Sequence, residues 1–535
     1  MMAFFIMKKN NFIVLIFLSL LSSFYNFDFE DWYFISEPDI IRSMTQDSFN
    51  IHFLSDEGIY SYDIISEDFF YNFDLSINLK NEKKFLIHYQ KGIDYFFIMT
   101  QNHLLYKSSV GSYWNEKRYS DFNIPSIHSI KKIGFTNDYI IIETNNNYRV
   151  IDCFSMVSSN YKNIDHIMGI KWIDNNIDDL DLSKFYTIDN SFVGEKYIQD
   201  EADREHFVIS SMYDSYENLW IGMDTGAIYK VDDISYNINR LDVGPRIDYV
   251  SNVFNDNNGN WYFSDNYFRR TGQKVFDYNG YLLSIWNENN NNWIHIPKNE
   301  NMLINNVTLN NIKRLDKFVL FTTFDGLIVY DIEFNIWYHS YDFLNINNRV
   351  LWDVVFNDNQ IYFSSSFGLI ICDYLIIDGK LKIYENQTIL NDSEVYDIKN
   401  MGDDIYFSSS RGLYKYNLAS NKMKLIDSNI YYNIQIFESY ILASNKNLWY
   451  IDMFGRELIS NNINYFNTNS NGDKICATDL NEIKIIDFYS KSEWFINLNQ
   501  LNIDEPVYSI DCDDDWLWFP MSSGISFFKW SNYDE

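Results

Sequence analysis

The densest group of residues able to do chemistry is Asp511, Asp513, Asp514 and Asp515, just ahead of Trp516-Leu517-Trp518-Phe519. Closely spaced carboxylates can collect oxygen ligands around Ca²⁺. The spacing here is not that of an EF-hand loop. A polar turn entering an apolar strand explains the same residues, so the expectation is a turn and no metal site. The runs Asp174 to Asp181 and Asp200 to Glu205 read in the same way, as solvated loops. The eight histidines (His52, His88, His103, His128, His166, His206, His295 and His339) stand one at a time and are expected in core or turn positions. Cys153, Cys372, Cys476 and Cys512 are far apart and form no C-x-x-C pair, which argues against zinc. Most are expected as buried thiols.

No hydrolase elbow, dinucleotide fingerprint, P-loop or H-E-x-x-H motif occurs in the chain. No residue is therefore assigned as catalytic, cofactor-binding or metal-binding, and no cofactor is expected. Trp220, Trp261, Trp352, Trp449, Trp516 and Trp518 sit in or near apolar strand segments and are expected to fill the core. Aromatic rings left on a loop face would instead be able to stack on sugars.

The elements that must position these residues come from a repeated phrase. Ile361-Tyr362-Phe363-Ser364-Ser365-Ser366-Phe367-Gly368-Leu369 returns as Ile405-Tyr406-Phe407-Ser408-Ser409-Ser410-Arg411-Gly412-Leu413. Aligned on the turn residue, copies fall at Gly58, His103, Asn147, Gly194, Gly226, Gly272, Gly326, Gly368, Gly412, Asn447, Asn481 and Gly524. A period of about 40–50 residues with strand–turn–strand content predicts four-stranded propeller blades. The apolar triplet predicts a strand covered on both faces. The small residue after it (Gly222, Ser364, Ser408, Ala443, Ala477) suits crowding near an axis. Segments such as Ile41 to Met44, Ile127 to Ile130, Val350 to Val354, Val395 to Ile398 and Val507 to Ile510 are expected beside the central channel. No sustained helical period of apolar residues occurs, so almost no helix is expected.

Val208 to Gly222, which carries Asp214-Ser215-Tyr216-Glu217-Asn218-Leu219-Trp220-Ile221-Gly222, resembles the two-component regulator propeller repeat family. Asp256-Asn257-Asn258-Gly259-Asn260-Trp261 and Asp514-Asp515-Trp516 are partial echoes. The resemblance implies an all-β propeller of the kind found in extracytoplasmic sensors of membrane kinases and in stand-alone exported proteins. No kinase segment follows in this sequence.

The chain carries 74 acidic and 42 basic residues, a net charge of −32. Such a surface repels nucleic-acid backbones and anionic membranes; its ordinary reading is solubility, and the sharper one is attraction of cations or a basic partner. Lys8 and Lys9 precede the apolar run Phe12 to Leu21, then Ser22 and Ser23, which is the layout of a signal peptide over residues 1–25. The apolar run is shorter than the roughly 20 residues a spanning helix needs. Export to the periplasm, cell surface or medium follows.

About twelve units exceed one ring, since propellers usually hold about 4–8 blades. The expectation is two tandem propellers of six to seven blades each, over 27–290 and 291–535, joined at the polar run Asn287 to Asn292 or shortly after it; the alternative is a single larger ring with a decorated N-terminal region. Phe27 to Ile35 is expected as a closing strand. The expected function is non-catalytic binding of a partner protein or extracellular polymer by a monomer. The alternatives are a glycosidase or lyase with a site at a channel mouth, and a ligand sensor for a separate membrane kinase.

Overall fold

The computed structural model describes residues 31–533 except 77–78, 80–81, 146, 174–179, 188–190, 233, 248, 257, 266–279, 299–307, 340–348, 358, 481, 497, 499–505, 508 and 522–523. The expected signal peptide and the copy aligned at Gly272 lie outside the described residues. Among the described residues no helix is long and apolar enough to cross a membrane.

The chain is almost entirely β, as the sequence predicts, and its described strands form eleven antiparallel sheets. Nine have four strands, one has five (130–172) and one has six (192–240). Such stacked four-stranded sheets fit a propeller. Two of the twelve aligned copies, at Gly194 and Gly226, fall in the single six-stranded sheet.

The repeat explains its own residues. In the sheet 351–389 the second strand, Gln360–Ser365, is buried from Ile361 onward, because neighbouring sheets cover both its faces. Ser365 then closes the turn: its hydroxyl accepts from the Phe367 N–H at 3.1 Å and donates to the Gly368 carbonyl at 2.7 Å. Ser409 and Thr323 repeat this turn against Gly412 and Gly326. Gly368 has φ +105°, and a Cβ there would lie 2.4 Å from the Ile389 carbonyl. Position 368 thus needs glycine for both conformation and space.

The small residue one step earlier has a role beyond spacing. The inner strand Leu351–Asn357 shifts register between Leu351 and Asp353, a β-bulge. The Asp353 N–H donates to the Ser364 hydroxyl at 2.8 Å. Ser408 serves Asp397 in the same way at 3.2 Å, beside the matching shift between Val395 and Asp397.

The turn that resembles the propeller repeat family is also built from side chains. Asp214 Oδ1 accepts from the Tyr216 and Asn218 N–H groups at 2.8 and 2.9 Å. Its Oδ2 accepts from the Trp220 indole at 2.9 Å, which ties the turn to the buried strand Leu219–Met223. Asp256 repeats the pattern with Asn258, Asn260 and Tyr262.

Chain ends meet in one sheet. Strand Trp32–Ser36 pairs with Gly524–Phe528 in continuous register, Trp32 opposite Phe528 and Ser36 opposite Gly524. The expected closing strand therefore exists, but its partners are the last strands of the chain. From Ser36 the backbone passes along the glycines of the six-stranded sheet. Gly226 has φ +82°, and a Cβ there would sit 1.5 Å from the Pro38 carbonyl.

Neighbour contacts then run in two series. Strand Ser43–Gln46 lies against Lys84–Gln90 on one side and Glu205–Tyr213 on the other. The inner strands Asn252–Asn255, Leu309–Leu315, Leu351–Asn357, Val395–Met401, Asn433–Ile436, Tyr465–Thr468 and Asp511–Cys512 touch in succession. Leu517–Met521 returns to Asn252–Asn255. The polar run Asn287 to Asn292 is the turn of a hairpin in the sheet 252–297, with Trp286 opposite Trp293. Two expected channel segments differ: Ile127–Ser129 is a 3₁₀ turn ahead of strand Ile130–Phe135, and the short strand Asp511–Cys512 starts after Ile510.

Candidate functional site

Three groups of polar residues are candidates. The first rings the inner strands of the second series. Asn311, Asp353, Asp397, Asn467 and Asp511 each turn a side-chain oxygen back to the N–H of the next residue, at 2.7–2.8 Å. The remaining atoms link one sheet to the next. Asn311 Nδ2 donates to Asp353 at 2.6 Å. Lys399 bridges Asp397 at 2.7 Å and Asp353 at 3.6 Å. Gln435 donates to Asn467 at 2.7 Å, and Asn467 donates to Asp511. Burial pushes the Asp511 carboxyl above its usual range, and its bonds to Cys512 N–H and Asn467 do not fully offset that.

The second group lies where the two series meet. Asp200 Oδ2 accepts from His206 Nε2 at 2.9 Å, Arg204 Nε at 3.1 Å and the Tyr281 hydroxyl at 3.2 Å. Arg240 pairs with Glu37 and reaches Asp200 at 3.5 Å. Arg246 pairs with Asp242 at 2.5 Å, and His295 lies 3.4 Å from the same carboxylate. Burial opposes the charge on Asp200, but His206 and Arg204 overcome it and hold the acid well below the usual carboxylate range. Burial, aided by Arg246, pushes His295 down to about 4. Burial also lowers His206. Both imidazoles are therefore neutral at pH 7. Two carboxylates and a histidine do converge here, but Asp200, His206 and Arg240 are almost fully buried and bonded to one another.

The third group is open. Two adjoining pockets of ≈ 470 and ≈ 490 Å³ share Tyr33, Trp286 and Glu288. The first is walled by Tyr62, Phe69 and Tyr71 and edged by Glu67 and Asp68. The second is walled by Trp261, Trp516 and Trp518, with Asp513 at its edge. Strand Trp32–Ser36 supplies the shared tyrosine, so closure of the last sheet builds the cleft. Trp286 is held by its N–H bond to Asn291 at 3.0 Å and by stacking on Trp293 at 6.0 Å. Glu288 accepts from the Trp261 indole at 2.8 Å. The Glu67 and Asp68 carboxylates have no hydrogen-bond or ion-pair partner among the described residues, and both are exposed. Their field reaches the rings: burial, then Glu67, Asp63 and Asp68, push the Tyr62 hydroxyl up to about 12. Burial and Asp68 raise Tyr33.

The sequence-predicted residues are dispersed among these groups. The acidic cluster divides: Asp511 joins the inner girdle, Asp513 accepts from the Asp515 and Trp516 N–H groups, and Asp514 holds Ser470. Among the described residues no group of three or more His, Cys, Asp or Glu is arranged to hold a metal. His52 is a core residue bonded to Ser61 and Asp47, and His88 stacks on Phe135 at 3.6 Å. All four cysteines are buried and free. Trp220, Trp261 and Trp518 are buried, while Trp352, Trp449 and Trp516 are half-buried. The seam group and the aromatic cleft join residues hundreds of positions apart, which no local motif announces.

No protein-family model matches the sequence, and no curated protein matches it. Several solved structures align over most of this chain. The extracellular domain of the BT4673 one-component system from B. thetaiotaomicron is 12% identical, with 92% of this chain and 70% of that chain covered and a TM-score of 0.42. The extracellular domain of the BT3049 hybrid two-component system from the same organism is 13% identical, with 92% and 81% covered and a TM-score of 0.41. PorZ, a surface component of the type-IX secretion system of Porphyromonas gingivalis, is 8% identical, with 93% and 87% covered and a TM-score of 0.47. The propeller assignment rests on the sheets and their contacts.

Proposed function

We propose that this chain is an exported, non-catalytic β-propeller protein that binds its partner in the aromatic cleft. The signal-like N-terminus and the acidic surface support export and solubility. The seven sheets from 252–297 onward, closed by strand Trp32–Ser36, form one ring in this reading. The four sheets from 43 to 240 form a shorter one. The joint then falls between Leu241 and Ser251, and the N-terminal ring is an insertion in the C-terminal one.

One observation carries the functional reading: the unlike fates of the carboxylates. Those of the girdle and seam are bonded within the protein. The Glu67 and Asp68 carboxylates have no partner among the described residues and lie beside aromatic walls in an open pocket. Rings with convergent polar groups in a concavity are the usual make-up of a binding site.

The test is a peptide and glycan array probed with labelled protein, alongside a Trp286→Ala variant. The expected result is binding to one ligand class that the variant loses, with the ligand recovered intact. Cleavage of the bound ligand, or an array with no signal at all, overturns the reading.

A further inference from the structure

We propose that the occupant of this cleft is a cationic peptide segment of a partner protein, presented in extended form with lysine or arginine side chains against the rings. The inference rests on the cleft being the binding site.

Charge and ring chemistry select the ligand. No lysine or arginine lines either pocket among the described residues. Glu67 and Asp68 have no ion-pair partner among the described residues, and the raised Tyr62 and Tyr33 hydroxyls sit in their field, with Lys230 Nζ 5.9 Å over the Tyr62 ring. A neutral ligand would strip water from these carboxylates without replacing their charge, which is costly. An ammonium or guanidinium group supplies that charge, and the face of a tryptophan or tyrosine attracts it further. The protein makes such a contact itself, where Lys529 lies 5.8 Å over the ring of Trp516, a residue of the second pocket.

Size selects a peptide over a free amine. Two joined pockets of ≈ 470 and ≈ 490 Å³ are far larger than one ammonium group. An extended chain advances about 3.3–3.6 Å per residue, so alternate side chains can enter successive pockets. The net charge of −32 also speeds capture of a basic segment.

The experiment is calorimetric titration of the full chain with a short Lys/Arg peptide, an uncharged Ser/Gly peptide of equal length and a neutral hexasaccharide. Two charge-matched variants are compared: Glu67→Gln with Asp68→Asn in the cleft, and Asp316→Asn with Asp378→Asn on exposed turns elsewhere. All four positions are exposed, so folding is retained. The expected result is binding of the basic peptide alone, weakened about tenfold by the cleft pair and little by the distant pair. Salt should weaken it further. Equal loss in both variants shows attraction to overall charge and overturns the proposal. Hexasaccharide binding that Trp286→Ala abolishes, without peptide binding, overturns the cationic ligand and leaves the cleft as the binding site. Binding of none of the three probes overturns the cationic ligand, while an array signal lost in Trp286→Ala still upholds the cleft.

Discussion

The inner strands of the two sheet series share a backbone device and differ in what it carries. In the 43–240 series the register shifts between Lys84 and Leu86, Ile130 and Lys132, and Val208 and Ser210. In the 252–528 series it shifts between Leu309 and Asn311, Leu351 and Asp353, and Val395 and Asp397. The residues after the shift are Leu86, Lys132 and Ser210 in the first series, and Asn311, Asp353 and Asp397 in the second. In the second set Asn311 bonds directly to Asp353 and Lys399 joins Asp353 to Asp397, whereas in the first set Ser210 reaches out of its sheet with one bond, to the Ile41 carbonyl. The bulge is thus a property of the scaffold, while the polar girdle is an addition to it. An added girdle gives the second series a fixed sheet-to-sheet register, since a half-satisfied buried network is costly.

The sharpest way to break this contrast is at the closing strand. Trp32 is buried against Phe528 at 4.6 Å between ring centroids. Trp32→Ala should cost about 3–5 kcal/mol. Although Trp32 precedes the 43–240 series in sequence, hydrogen exchange should accelerate in the 252–528 sheets far more than in 84–118. Equal acceleration in both would show that the series are not separate units.

Next in size is the girdle itself. Asp353→Ala leaves Asn311, Lys399 and the Val354 N–H short of a partner and should cost about 2–4 kcal/mol. Ser210→Ala, at the matching place in the first series, removes one hydroxyl bond to the Ile41 carbonyl and should cost about 1 kcal/mol. Urea unfolding of both variants checks the ratio.

Acid sharpens the comparison differently. His88 in the first series and His295 in the second are both pushed down to about 4, each by burial first. The unfolded chain binds protons on these residues from about pH 6.5 downward, whereas the folded chain waits until about 4. Their stabilisation is complete above pH 6.5 and is lost as pH falls to 4, by about 1.4 kcal/mol per pH unit for each histidine across that window. His295→Asn should flatten the melting-temperature curve between those values.

The smallest effect has the opposite sign. Burial raises Asp511, so its ionised form is unfavourable in the folded state. Asp511→Asn keeps an oxygen for the Cys512 N–H and should stabilise by about 1 kcal/mol at pH 7. The gain should shrink as acid protonates the raised Asp511 carboxyl and removes the buried charge.

Much of the scaffold was legible because it is periodic. Gly326, Gly368, Gly412 and Gly524 all lie at the start of third strands or the matching place in the last sheet, as the aligned repeat predicted. Ser364 and Ser408 were placed correctly, but spacing alone did not reveal that their hydroxyls serve a displaced N–H. The expected joint at Asn287 to Asn292 fell on a hairpin turn because asparagine favours turns and linkers alike. The cleft left no local trace. Tyr33, Asp68, Trp286 and Trp518 become neighbours only after the two chain ends have met.

That meeting sets an order of events during synthesis. The strand at 32–36 leaves the ribosome nearly 500 residues before its mate, and finds it only when residues 524–528 arrive. Until then the strand at 32–36 is an open sheet edge, which invites mispairing. A chain carried unfolded across a membrane defers that hazard to the far side. An export route that holds the polypeptide extended until translation finishes therefore suits this topology better than folding as the chain emerges.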